Sequence, residues 1–344
     1  MRNLENNEQK TFLISRTDGI GDVVLTLPLA GVIKSYFPAA KVIFLCRKYT
    51  KAVVECCTDI DIILDWDELF RQGDCGINTL QTNKIDVVLH IFPRKEIARV
   101  CKKAGIKTRI GTSHRLFNWL FCNHLPNFSR KNSNLHESVL NLFLLKPLAS
   151  SVRNIDFENI QKYLHFRVLN KYDNYGGTSV DKNLFNLILH PKSKGSAREW
   201  GLENFKKLIG LLDKNRFRIF LCGTEEEGKD FRKYLIEDTH DNVFDLSGKL
   251  SLEEYIALIN ESDGLVAAST GPLHIAGALN KHAIGLFPPI RPMNPERWRP
   301  FGTNTRIFCK QTVCNKCRKS AICECMESIS AKQIAEYLSG CYRL

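Results

Sequence analysis

Twice along this chain a short, mostly apolar run leads into a polar loop and then into apolar residues at helical spacing. Thr11–Ser15 is the first such run, Arg16–Asp22 its glycine-bearing loop and Val23–Phe37 the helical stretch, with Lys41–Cys46 as the next strand. Phe185–Leu189 opens the second series. Strands that are apolar throughout are buried on both faces, and parallel strands must be joined by helical crossovers. The pattern therefore demands α/β sheets.

The first series continues with strands at Ile60–Leu64 and Asp86–Ile91. The second alternates helices at Leu202–Leu212, Glu225–Leu235, Leu252–Asn260 and Pro272–Leu279 with strands at Arg218–Leu221, Val243–Leu246, Gly264–Ala268 and Ala283–Phe287. Between the series lies a polar, turn-rich stretch around Lys171–Gly177. At roughly 150 residues per domain, a chain of 344 residues holds about two. The expected layout is an α/β domain over 1–165, a linker over 166–182, a second α/β domain over 183–325, and a segment 326–344 with a helix at Ser328–Leu338.

A hydrophobic share of 44% with 25% charged residues excludes wholesale disorder, collagen and a coiled-coil rod. There is no apolar run of the roughly 18 residues a membrane-spanning helix requires. The polar start, Met1–Lys10, lacks the apolar core of a secretory signal, so the expected location is the cytosol. The thirteen cysteines then read as thiols or metal ligands before disulfides.

The net charge is +12, and the excess is uneven. Residues 94–131 hold ten Lys or Arg and one acid, Glu96. Such a stretch suits an anionic partner (nucleic acid, a phosphorylated sugar or an anionic lipid surface) or is a solvated basic face.

Ligands of α/β proteins gather at the carboxyl ends of strands. Four loops stand there. Arg16-Thr17-Asp18-Gly19-Ile20-Gly21-Asp22 lets the backbone approach a ligand, and Asp22 suits either chemistry or a helix cap. Ser269-Thr270-Gly271-Pro272-Leu273-His274 makes a helix N-terminus that fits a diphosphate, or a plain cap. The basic loop from His190 to Trp200 carries Lys194 and Arg198, which can offset charge on a leaving phosphate or simply be solvated. After Cys222-Gly223-Thr224, the acids Glu225 and Glu226 can hold a ribose diol or serve as first-turn acids. Asp59-Ile60-Asp61 and Asp65-Trp66-Asp67 read as strand-edge charges. Cys309, Cys314, Cys317, Cys323 and Cys325 are spaced more tightly than a zinc ribbon; structural thiols are the first reading, and Cys314, Cys317, Cys323 and Cys325 the candidate metal ligands.

Together the four loops resemble glycosyltransferase family 9, the ADP-heptose:lipopolysaccharide heptosyltransferases, over roughly residues 11–308. The resemblance rests on Arg16–Leu29, Arg198-Glu199-Trp200, Cys222–Glu226 and Ser269–Leu279. It implies a GT-B fold: two Rossmann-like domains facing a central cleft, the first binding the acceptor and the second the nucleotide sugar, with a final helix returning to the first. It implies an inverting, metal-independent transfer from an ADP-sugar, with heptose favoured and no cofactor required. Asp22 would be the general base, and Arg198 would stabilise the departing ADP, with Lys194 as a second cation. Gly21, Ser269, Thr270, Gly271, Pro272 and His274 would line the donor site, with Glu225 or Glu226 on the ribose. The acceptor would be an anionic glycolipid such as the lipopolysaccharide core, met at the cytosolic face of the inner membrane by Arg94, Lys95 and Arg115, without nucleic acid. Two departures bear on the donor sugar: Ser269 stands where the family often has Asp, and Phe287-Pro288-Pro289 where Gly-Pro is usual. The competing readings are a non-catalytic nucleic-acid-binding α/β protein, a thiol-rich metal or redox protein, and an enzyme using another nucleotide sugar.

Overall fold

The computed structural model describes residues 9–71, 73–131, 133–236, 241–311, 314, 317 and 323–342. The chain divides into two compact units, Met1–Arg167 and Val168–Leu344.

The first unit is built on a five-stranded parallel sheet in the order β3-β2-β1-β4-β5. Its strands are β1 (Thr11–Ser15), β2 (Lys41–Cys46), β3 (Ile62–Asp65), β4 (Val87–His90) and β5 (Thr108–Ile110). Phe12, Leu13 and Ile14 of β1 are fully buried, as the unbroken apolar run requires. Burying each such side chain contributes about 1.5–3 kcal/mol. The chain winds outward from β1 to β3 on one side, then returns to place β4 on the other. The strand order therefore reverses between β1 and β4, and it is outside the carboxyl ends of such a pair that α/β folds bind ligands.

The helix expected over Val23–Phe37 is two helices, Ile20–Val24 and Pro28–Tyr36. Pro28 has no N–H to continue the first helix, and its fixed φ suits the first position of the second, which it opens. The intervening turn tightens through Thr26 N to Val23 O at 2.8 Å, while Thr26 Oγ1 donates to Asp22 O at 2.8 Å. Strand β5 was not anticipated, being three residues long at a sheet edge and interrupted by Arg109.

The second unit carries a six-stranded parallel sheet in the order β11-β10-β9-β6-β7-β8. The strands are β6 (Phe185–His190), β7 (Phe217–Leu221), β8 (Val243–Asp245), β9 (Gly264–Ala268), β10 (His282–Phe287) and β11 (Thr305–Cys309). Here the order reverses between β6 and β9. Strand β11 is an edge strand without the apolar run that marks the central strands, and sequence reading missed it.

Two expectations need correction. Most residues of 166–182 are exposed, but from Val168 the stretch belongs to the second unit and is tied to it at three points: Tyr175 is buried, Arg218 Nη2 donates to Thr178 Oγ1 at 2.7 Å, and Asp181 N donates to Asn186 Oδ1 at 2.9 Å. The last helix, Ala331–Cys341, was expected to return to the first domain and instead packs in the second. Its Ile334 and Leu338 share a core with Trp200, Phe205 and Leu208 of the second unit, because its apolar face meets that of helix Leu202–Leu211.

Candidate active site

In the first unit the loop after β1 is organised by one buried guanidinium. Arg16 is 3% exposed. Its Nε meets Asp18 Oδ1 at 2.6 Å, its Nη1 meets Glu137 Oε1 at 3.0 Å, and its Nη2 pairs with Asp22 Oδ1. Glu137 in turn pairs with Arg130. Burial opposes the charge on Arg16, but the three carboxylates outweigh it and hold the group above the ordinary arginine range. For Asp22 the balance falls the other way. Burial pushes its carboxyl up to about 6 against the pull of Arg16, and Asp18 and Glu137 add to the rise. A carboxylate titrating near 6 is a competent base at neutral pH. Gly21 precedes it within the same short helix, and its carbonyl accepts from Leu25 N.

Strand β4 ends beside this loop, with His90 in register with Ser15. Arg94 reaches back, its Nη2 donating to Thr17 O at 3.2 Å. Ser15 Oγ, Thr17 Oγ1, both ring nitrogens of His90 and Arg94 Nε are buried without a hydrogen-bond partner among the described residues. Burial, helped by Arg109, pushes His90 down to about 4, so the ring is neutral. Buried polar atoms are as a rule partnered, and this group collects at the reversal point of the sheet. Lys95 is exposed at the start of helix Lys95–Lys103. Arg115 precedes helix Leu116–Phe121, in the segment that follows the edge strand β5. The two Asp-x-Asp triplets are internally satisfied: Asp61 pairs with Lys34 at 2.8 Å, Asp67 with Arg47 at 2.7 Å, Asp59 with His165 at 2.7 Å, and Asp65 Oδ1 accepts from Asp67 N at 2.8 Å.

In the second unit β9, β6 and β7 are neighbours, so their three loops stand in one row. The loop after β6 is fixed by Glu199, which takes Lys192 Nζ at 2.9 Å and Ser193 N at 3.0 Å. Lys194 sits in the left-handed region at φ +47°, exposed, its Nζ 4.0 Å from Glu226 Oε2. Arg198 Nη2 donates to Cys317 O at 3.2 Å. Trp200 is fully buried and donates to Ile329 O at 3.0 Å.

Glu225 and Glu226 begin helix Glu225–Leu235, capped by Thr224 and Glu227. Arg232 grips both oxygens of Glu225, at 2.7 and 2.9 Å, and holds its carboxyl below the usual range. Glu226 is the more open of the two, 86% exposed.

After β9, Ser269 is half-buried and Thr270 precedes helix Gly271–Ala278, with Pro272 in its first turn. Thr270 Oγ1 and His274 Nδ1 are buried without partners among the described residues. Burial pushes His274 down to about 4, making it a neutral hydrogen-bonding group and not a cation. An unpaired buried polar atom costs about 1–3 kcal/mol, a cost a polar ligand at this helix N-terminus would remove.

Sequence reading gave no role to Glu137, His190 or Tyr255. His190 Nδ1 lies 3.1 Å from the Tyr255 hydroxyl, and burial pushes this ring too down to about 4, against Glu227 and Glu199. Glu137 and Tyr255 have no local motif, and only packing brings them in.

The sequence profile described as glycosyltransferase family 9 (heptosyltransferase) matches residues 77–326. A glycosyltransferase of Haemophilus influenzae is 26% identical over 301 residues, 84% of this chain and 85% of that one. The lipopolysaccharide core heptosyltransferase OpsX of the same organism is 21% identical over 300 residues, 85% and 82% of the two chains. The solved structure of ADP-heptose LPS heptosyltransferase II of E. coli superposes with a TM-score of 0.76 at 16% identity, covering 97% of this chain and 99% of that one. The two parallel-sheet units, each with its loops at a reversal point, are thus those of a GT-B enzyme, and the chain belongs to glycosyltransferase family 9.

Proposed function

We propose that this glycosyltransferase moves heptose from ADP-heptose to a lipopolysaccharide core or related glycan, with inversion at the anomeric carbon. The observation that carries the reading is Asp22, a carboxylate held near 6 at the reversal point of the first sheet. In this reading Asp22 takes the proton of the acceptor hydroxyl as its oxygen attacks the anomeric carbon. The bond from that carbon to the diphosphate breaks, and ADP leaves. Arg198, Lys194 and the free N–H groups of helix Gly271–Ala278 offset the charge on the leaving group, so that no metal is needed at the diphosphate. Glu226 is the better placed ribose partner, since Arg232 already engages Glu225. The related proteins named for LPS core and ADP-heptose support the donor and acceptor classes.

The acceptor would be met at a membrane surface. Leu116, Trp119 and Leu120 lie three and four residues apart on one short helix, and they are 89%, 63% and 66% exposed. The basic helix Lys95–Lys103 packs beside it, with Lys102 Nζ donating to Leu120 O at 2.9 Å. Exposed apolar side chains beside a basic helix suit an anionic lipid surface.

Calorimetric titration with ADP, UDP and GDP, followed by turnover of ADP-heptose with a heptose-deficient core acceptor, tests the reading. Selective ADP binding with product formation is expected. Selective UDP or GDP binding would overturn the donor while leaving the fold untouched.

A further inference from the structure

Between β11 and the last helix, the described residues of 310–330 contain one short helix, Glu324–Glu327. What gathers this stretch is sulfur. The Sγ atoms of Cys314, Cys317 and Cys325 all lie within 4.8 Å of one another. The Cys317 thiol also bonds to that of Cys323. Cys317, Cys323 and Cys325 are buried in the apolar core of the second unit, with Cys314 packed against it. All four are free thiols.

Backbone amides converge on these sulfurs. Cys317 N donates to Cys314 Sγ at 3.4 Å, the Cys325 amide bonds to Cys317, and the Met326 amide bonds to Cys323. An N–H aimed at sulfur is weak against a thiol and strong against a thiolate. Four thiolates packed together need a cation between them. With metal–sulfur bonds of about 2.3 Å, a tetrahedral site has sulfur–sulfur edges of about 3.8 Å. The three mutually close sulfurs thus need to contract by no more than about 1 Å to meet that geometry.

We infer that Cys314, Cys317, Cys323 and Cys325 form a tetrathiolate site for one thiophilic first-row cation, zinc or iron. On binding, the four thiols release four protons to solvent and the cation takes their place. The excess negative charge is offset in part by Arg198, which donates to the Cys317 carbonyl. The ion holds a loop and touches no substrate. It fixes the Cys317 carbonyl that receives Arg198, so it positions that guanidinium. The same loop is tied on by Trp200 to Ile329 O and by Asn204 to Glu327 O at 2.9 Å. The inference stands on the thiols and does not depend on which sugar is transferred.

The test is metal analysis of the full chain purified anaerobically under reducing conditions, with titration of reactive thiols before and after a mercurial reagent. About one zinc or iron per chain is expected, released as the four thiols become reactive. Visible absorption separates the two: an iron–thiolate site is coloured and a zinc site is not. C317S and C325S should lose the metal, while C309S, which alters a thiol outside the cluster, should keep it. Should the serine variants not fold, release of the ion from the parent chain by the mercurial reagent decides the matter alone. Metal-free protein that takes up neither Zn²⁺ nor Fe²⁺ would overturn the site. So would metal retained by folded C317S and C325S, or disulfides among the four cysteines in protein isolated without reductant.

Discussion

At the scale of single residues, the chemistry turns on how one carboxylate is kept from being neutralised by the arginine beside it. Arg16 divides its donors among Asp18, Asp22 and Glu137, and the other two carboxylates repel charge on Asp22. If Asp22 is the base, the transfer rate falls as pH drops through about 6, and Asp22→Asn loses about 10²–10⁴-fold in turnover while ADP binding is kept. Near-parental turnover in that variant would remove the assignment. The stability sign runs the opposite way. A carboxyl raised from 3.8 to about 6 binds its proton more tightly in the folded state. Its favourable contribution is therefore complete below 3.8 and lost as pH rises through about 6. Asp22→Asn should melt no lower than the parent at pH 7.5, the mark of a residue kept for function at a cost in stability. Glu137→Gln removes one of the carboxylates that raise Asp22, so the acid limb of the pH–rate profile should move to lower pH, with a loss of about 1–3 kcal/mol from the weakened contacts to Arg16 and Arg130. An unmoved limb in a folded variant would show that Glu137 does not set the base.

Elements place these residues, and glycine contacts report how closely. A Cβ on Gly277 would lie 2.4 Å from Phe301 O and 2.6 Å from Pro300 Cβ, so Gly277→Ala must push helix Gly271–Ala278 away from backbone. The expected cost is about 1–3 kcal/mol, with weaker ADP binding because Thr270 and His274 ride on that helix. Gly210 is the control: it lies in helix Leu202–Leu211 with nothing within 4 Å of a Cβ, and Gly210→Ala should stabilise by about 0.4–1 kcal/mol. Thermal melts that ranked the two variants the other way would contradict the packing. The same elements show what sequence reading reaches. Central strands such as β1, β6 and β9 are covered on both faces, so their burial is written as predominantly apolar runs, with Asn186 a polar interruption inside β6. Edge strands β5 and β11 pair on one side only, carry Arg109 and Arg306, and leave no such mark. The loop around Asp22 is legible because glycines and the acid are adjacent in sequence. Glu137 is not, because it reaches Arg16 from 121 residues away on a helix that packs against Pro28–Tyr36. The last helix was misplaced because an amphipathic pattern shows that a face is buried and is silent on what buries it.

Over the whole molecule, charge is what distinguishes the two units. Residues 1–167 hold 24 of the 49 basic side chains against 16 of the 37 acidic ones, and ten of the 24 fall within 94–131. No helix among the described residues is long and apolar enough to cross a membrane. The proposed contact with a lipid-borne acceptor is carried by the exposed Leu116–Trp119–Leu120 face and the basic helix Lys95–Lys103 beside it. A single short apolar face gives marginal binding, and anionic lipid adds about 1 kcal/mol for each nearby Lys or Arg. The chain should accordingly sediment with vesicles containing phosphatidylglycerol, bind phosphatidylcholine vesicles far less, and dissociate as salt shortens the Debye length from about 10 Å at 0.1 M toward about 3 Å at 1 M. W119A/L120A should lose vesicle binding, because both side chains are exposed and the apolar part of the contact goes with them; K102A/K103A should lose the salt-dependent part. Neither pair lies at the Asp22 loop, so turnover of a soluble, lipid-free acceptor should be preserved in both variants while turnover of a vesicle-borne acceptor falls. Equal loss on both acceptors would mean that this face serves the reaction itself, and unchanged binding by W119A/L120A would remove it as the membrane contact.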